Sequence, residues 1–175
     1  ARQELTGPAG AALAPRTKPE HGDGMDVTVV TITRPEITAS VTRGAARLLV
    51  DLGYAPLAEV TLPNGRRADL MALSPRGEIA IVEVKSGLED YRVDRKWHEY
   101  LPYCDRFAFA VAPEFPQHIL PEEPGLIVCD GFGGAVLREA PATPLAPARR
   151  KALTIAFARL AAMRAMGVAA TELGA

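Results

Sequence analysis

Leu62-Pro63-Asn64-Gly65-Arg66-Arg67-Ala68-Asp69-Leu70-Met71-Ala72-Leu73-Ser74-Pro75-Arg76-Gly77-Glu78-Ile79-Ala80-Ile81-Val82-Glu83-Val84-Lys85 decides how this chain is read. Two four-residue separators, Leu62 to Gly65 and Ser74 to Gly77, carry Pro at the second position and Gly at the fourth. That is the pattern of a type I turn followed by a left-handed glycine in a three-residue hairpin loop. The runs around them are strand-like: Ala58 to Leu62, Arg67 to Leu73 and Glu78 to Lys85. Loop length sets register. A three-residue loop pairs Ser74 with Glu78 and, counting outward, Asp69 with Glu83; the same loop at the first turn pairs Leu62 with Arg66 and Glu59 with Asp69. If Asn64-Gly65 instead forms a two-residue type I′ loop, Glu59 moves to the opposite face.

Within the third run, Glu83 and Lys85 are two apart and share a face with Ile81, while Val82 and Val84 are expected to face the core. Charges in so apolar a strand need partners, because burying one unpaired costs several kcal/mol. An ion pair between them, or a bound cation, meets the need. Acids directly opposite one another repel, so a row of Glu59, Asp69 and Glu83 asks for a cation. Magnesium, or manganese in its place, prefers oxygen ligands and is held by one or two carboxylates plus water and phosphate oxygens. Asp69 and Glu83 suit it, with the Val84 carbonyl as a further oxygen and Glu59 as a candidate third acid. Lys85 is then placed to orient a nucleophile and offset charge on a phosphorane. By itself an acid followed by Glu-x-Lys is a weak signal; the bland alternative is a solvated strand face.

Outside the meander, residues 1–24 are rich in Ala, Gly and Pro without periodicity and are expected to be a disordered lead. Pro35-Glu36 opens a helix whose apolar stripe is Ile37, Val41, Ala45, Leu48, Leu49 and Leu52, stopped by Gly53. Residues 89–101, with Val93, Trp97 and Leu101 at i, i+4 and i+8, read as an amphipathic helix ending near Pro102. Phe107 to Ala112, Leu126 to Cys129 and Val136 to Arg138 read as strands. A last helix is expected from Pro147 to Met166, with Leu153, Ala156, Phe157, Leu160, Ala161 and Met163 on its apolar side and Gly167 after it. The expected organisation is one α/β domain over 25–167, a mixed sheet flanked by helices, with a flexible tail over 168–175.

The 175 residues carry a net charge of -1. No global field draws the chain to nucleic acid, so DNA binding would rest on local clusters: Arg66-Arg67, Arg92-Arg95-Lys96 and Arg149-Arg150-Lys151. Trp97 and Tyr100 offer faces for a base, although the place of Trp97 in the apolar stripe favours the core. Cys104 and Cys129 have no metal or disulfide spacing and read as core fillers in a reducing compartment. No run approaches a membrane span and no signal core opens the chain, so a cytoplasmic protein is expected.

The order helix, three-strand meander, helix, strand, with the acid on the second strand and Glu-x-Lys on the third, resembles the PD-(D/E)XK superfamily of restriction-endonuclease-like αβββαβ folds. A narrower resemblance runs through Gly65 to Asp69, Glu78 to Ser86, Asp94 to Tyr100, Tyr103 to Arg106 and Phe109 to Val111. It continues through Ile119 to Pro121, Gly125 to Val128, Leu137 to Ala140 and Arg149 to Lys151. These segments, within about residues 36 to 165, are similar to the MmcB-like DNA repair family of bacteria. The resemblance implies a repair role in response to damage such as crosslinks, with DNA and other repair proteins as partners. The expected activity is metal-dependent hydrolysis of DNA by Asp69, Glu83 and Lys85, with Arg66, Arg67, Arg95 and Lys96 on the DNA. The alternative is a nuclease-fold module that binds DNA or a repair partner and cuts weakly or not at all. Many superfamily members place a further Glu in the first helix; here that helix holds Glu36 at its start and Asp51 at its end.

Overall fold

A computed structural model describes residues 33–87 and 96–169. The expected lead over 1–24, most of the helix expected over 89–101, and the end of the tail lie outside the described residues. Helix α1 spans Arg34–Asp51. Thr33 donates its N–H (2.7 Å) and hydroxyl (2.9 Å) to Glu36, whose carboxyl these bonds hold below its ordinary range. Gly53 follows the helix at φ +85, the left-handed geometry that lets the chain turn into the sheet.

Six strands follow: β1 Ala55–Thr61, β2 Arg67–Leu73, β3 Ile79–Lys85, β4 Arg106–Val111, β5 Gly125–Cys129 and β6 Gly134–Arg138. They form one mixed sheet in chain order, with β1, β2 and β3 antiparallel, β4 and β5 parallel to β3, and β6 antiparallel at the far edge. Helix α2, Pro147–Ala165, closes the described chain. The two tight loops have the expected chemistry. Leu62 N–H reaches Arg66 O at 2.7 Å and Ser74 N–H reaches Glu78 O at 2.9 Å, with Gly65 at φ +79 and Gly77 at φ +78. The register is therefore the one that three-residue loops impose, with Leu73 opposite Ile79 and Thr61 opposite Arg67.

Both faces of the sheet are covered. Val41, Ala45 and Leu49 of α1 pack on Leu70, Ala80, Val82, Val84, Ala110 and Ile127. On the other face Phe107, Phe109, Ile79 and Ile81 pack with Trp97, Tyr100 and the α2 residues Leu153, Phe157 and Leu160. This corrects the one-sided reading of β3: Ile81 is as buried as Val82, and all seven residues of the strand are inside. A strand sandwiched between helical layers loses its polar face, so Glu83 and Lys85 sit among apolar neighbours.

Two other expectations are corrected. Residues 97–103 form two short 3₁₀ turns, Trp97–Glu99 and Leu101–Tyr103, instead of the end of an α-helix. Pro102 has no N–H to continue a helix, and the turn bonds span three residues, as in Tyr100 N–H to Trp97 O at 3.0 Å. Met163 is 42% exposed because α2 has by then reached the edge strand, where Arg164 donates to the carbonyls of Ala58 and Glu59. Cys104 and Cys129 are buried free thiols, as expected of core fillers. No helix among the described residues is long and apolar enough to cross a membrane.

Gly44 allows α1 to lie against the β5–β6 turn. A Cβ there would collide with the carbonyl oxygens of Asp130 and Gly133 and stand 3.0 Å from the Cys129 Cβ. Alanine is the better helix former by about 1 kcal/mol, yet backbone cannot yield as a side-chain tip does. Gly44→Ala is expected to cost about 1–3 kcal/mol net, read as a melting point lower by several degrees.

Candidate active site

The ladder between β2 and β3 pairs Leu70 with Val82 and ends there. One step on, where the register sets Asp69 against Glu83, side chains replace the backbone bonds. Asp69 N–H donates to Glu83 Oε1 at 3.2 Å, and Val84 N–H donates to Asp69 Oδ2 at 2.8 Å. Each acid thus accepts a main-chain donor of the other's strand, which ties the two carboxylates into one site. Lys85 Nζ lies 3.8 Å from Glu83 Oε2 and 6.0 Å from the centroid of the Phe109 ring. Glu83 is 4% exposed and Lys85 5%.

Burial dominates the electrostatics. It pushes the Glu83 carboxyl up to about 8, and the neighbouring Asp69 charge adds to the rise; Lys85, the Asp69 N–H and the Tyr100 hydroxyl oppose it. Asp69 is raised as well, first by burial, with the Val84 N–H, Lys85 and Arg67 acting against the rise and Glu59 with it. Desolvation raises both carboxyls, and the charge of Asp69 raises Glu83 further. A cation between them would take the protons' place.

Glu59 occupies the register position opposite Asp69, between the pairs Val60–Ala68 and Ala58–Leu70. It is the one described non-glycine residue with positive φ, at +50, and it is exposed. Among the described residues no three His, Cys, Asp or Glu side chains are close enough together to hold one metal ion. Glu59 therefore adds its charge to Asp69 from beside the pair.

The basic residues divide. Arg67 lines the same cleft as Asp69, whereas Arg66 donates to Glu99 Oε2 at 2.6 Å and braces the first loop against the 3₁₀ turn. Arg95 and Arg92 lie outside the described residues; Lys96 is exposed at the start of that turn. The Arg149-Arg150-Lys151 cluster is not a free basic patch. Arg150 donates to both oxygens of buried Asp105 and to Gly77 O at 2.8 Å, and Arg149 donates to Pro102 O at 3.2 Å. Trp97 and Tyr100 are 8% and 3% exposed, packed beside Phe107, so neither ring offers its face to a base. Tyr100 enters the site differently. Its hydroxyl lies 3.2 Å from Arg67 O and within hydrogen-bond reach of the Glu83 carboxyl, so its single proton serves one or the other, a role that no spacing in the sequence signals. His98 is exposed and stacks on Trp97 at 3.8 Å, in keeping with a surface histidine.

Comparison with known proteins bears on the chain as a whole. No curated protein matches it. A solved structure of a protein of unknown function from Silicibacter pomeroyi is 43% identical, over 74% of this chain and 88% of that one, with a TM-score of 0.71. The family model described as DNA repair protein MmcB-like matches residues 25–172. That span takes in the described sheet, both described α-helices and the Asp69–Glu83–Lys85 site, and the chain belongs to the MmcB-like family of DNA repair proteins.

Proposed function

We propose that this protein is a metal-dependent phosphodiesterase acting on DNA during repair, built on the PD-(D/E)XK plan. The observation that carries the reading is the pair of bonds at the open end of β2–β3, Asp69 N–H to Glu83 and Val84 N–H to Asp69, with Lys85 beside them. The donor set suits Mg²⁺ or Mn²⁺: hard oxygens, two neighbouring carboxyls, and an Asp69 Oδ1 that takes no hydrogen bond from any described residue. The Val84 carbonyl is a further oxygen in sequence reach, and Glu59 adds negative charge nearby. A bound cation would polarise the scissile phosphate and acidify a coordinated water.

The protein's own groups do the rest. Asp69 and Glu83 would hold the cation as carboxylates. The Lys85 ammonium, held in a dry setting between Glu83 and Phe109, meets charge growing on the phosphorane oxygens and orients the attacking water. Attack at phosphorus breaks one P–O ester bond, and the leaving oxygen takes up a proton. The family assignment supports DNA as the substrate.

Full-length protein with supercoiled plasmid and Mg²⁺ or Mn²⁺ is expected to nick it, and Lys85→Ala to slow nicking at least ~100-fold. Glu83 is neutral near pH 7 without metal, so losing its partner should leave the fold intact, which circular dichroism checks. Equal nicking by both proteins would sink the assignment. One observation favours a second reading, a nuclease fold that binds DNA without cutting: among the described residues a third acid does not join the pair. DNA bound but never cut by the wild type, with either metal, would select it.

A further inference from the structure

A cleft of about 660 Å³ runs from the first turns of α1 to the carboxyl of Asp69. Arg34, Thr38, Thr42 and Arg43 form its helical wall, and Glu59, Arg67 and Ser86 lie on the strand side with Asp69. We propose that this cleft takes one single strand of DNA and not a duplex, with Arg43 and Arg67 on its phosphates. The inference rests on the nuclease reading for the purpose of the cleft, but concerns binding alone.

Three observations support it. The first is charge in the right state. Arg43 and Arg67 are exposed, and neither side chain has a hydrogen bond or ion pair with any described residue, unlike Arg66 and Arg150. Exposed guanidiniums that bond no described residue, on either side of a cleft, are ready for bidentate phosphate contacts. The threonines cannot substitute for them. Thr38 and Thr42 spend their hydroxyl protons on Arg34 O (3.1 Å) and Thr38 O (2.7 Å), so they present only lone pairs, which repel a phosphate but accept the amino group of a base.

The second is size. The cleft has the volume of a pocket for a drug-sized ligand, about 300–1,000 Å³, which admits a short stretch of one strand and excludes a double helix. The third is depth. Asp69 lines the cleft, whereas Glu83 and Lys85, 4% and 5% exposed, do not, so a phosphate that reaches them must be carried inward past the cleft wall. A duplex is stiff over ~150 base pairs and its backbone lies on a broad cylinder. A single strand bends locally and can carry one phosphate inward.

The test is fluorescence anisotropy of a labelled oligo-dT and of a duplex of equal length, titrated with full-length protein in EDTA so that no cutting occurs. The single strand should bind at least tenfold tighter than the duplex. Arg43→Ala and Arg67→Ala should each flatten the slope of log K against log salt by about 0.7, and the double variant should bind at least tenfold more weakly. Neither side chain has a hydrogen bond or ion pair with a described residue, so melting points should move little. Equal or tighter duplex binding, wild-type binding by the double variant, or no binding of either DNA would overturn the proposal. Nicking assays are read separately, so failure of the nuclease chemistry would leave a positive binding result standing.

Discussion

Glu83→Gln is expected to abolish divalent-dependent nicking, by ~10³-fold or more, while making the metal-free protein more stable above pH 7. The two effects share one cause. Folded Glu83 keeps its proton up to about pH 8, against an ordinary value of 4.5. Between those values the folded chain binds a proton that the unfolded chain has released. Its contribution to stability is therefore complete below the ordinary value and declines as pH rises through the window, by up to about 1.4 kcal/mol per unit. Glutamine is nearly isosteric and never ionises, so it keeps the Asp69 N–H contact and removes the decline. Urea melts at pH 5, 6.5 and 8 should show wild-type stability falling and the variant's nearly flat. A wild type whose stability is level across that range would show that Glu83 does not keep its proton on folding.

The larger structural loss should come from Asp105→Ala. Asp105 is 4% exposed and accepts from Ile79 N–H (2.8 Å), Leu145 N–H (2.8 Å) and both terminal nitrogens of Arg150. Its own N–H and C=O bond Ile79 O and Thr143 N–H, both at 2.8 Å. One residue thus ties the start of β3, the start of β4, the chain leading to α2, and α2 itself. Burial alone would raise the Asp105 carboxyl, but the Arg150 bonds and the two N–H donors outweigh it and hold the carboxyl below its ordinary range. Its stabilisation is thus present above that range and lost as pH falls through the folded value. Removing one partner of a buried pair costs about 3–5 kcal/mol, a large share of the roughly 5–15 kcal/mol of a typical domain. A urea midpoint near half the wild-type value, or failure to fold, is expected, with Asp105→Asn in between. An alanine variant within 1 kcal/mol of wild type would refute this.

Local chemistry made much of the site legible. The Pro-x-Gly loops determine loop length, loop length determines register, and register brings Asp69 to Glu83. The first helix follows from its apolar period, and the final strands from continuous apolar runs. Arg150 illustrates what was hidden: beside Arg149 and Lys151 it reads as a phosphate cluster, yet its partner is Asp105, forty-five residues away. Tyr100 likewise looked like a stacking surface, and its burial against Phe107 is a fact of packing alone. The cleft residues Arg34 and Arg43 carry no motif and become site residues only because α1 lies over β1 and β2.

By itself, then, the sequence determined the elements that local rules govern: the meander, its register, and the pairing of Asp69 with Glu83. Turn geometry and side-chain alternation act over a few residues, so they can be read there. Only the tertiary structure decided which charges are consumed. It placed apolar layers on both faces of β3, which raises Glu83, engaged Arg66 and Arg150 with Glu99 and Asp105, and left Arg43 and Arg67 without a hydrogen bond or ion pair to any described residue. Those outcomes depend on long-range contacts and on desolvation, and no spacing along the chain encodes either.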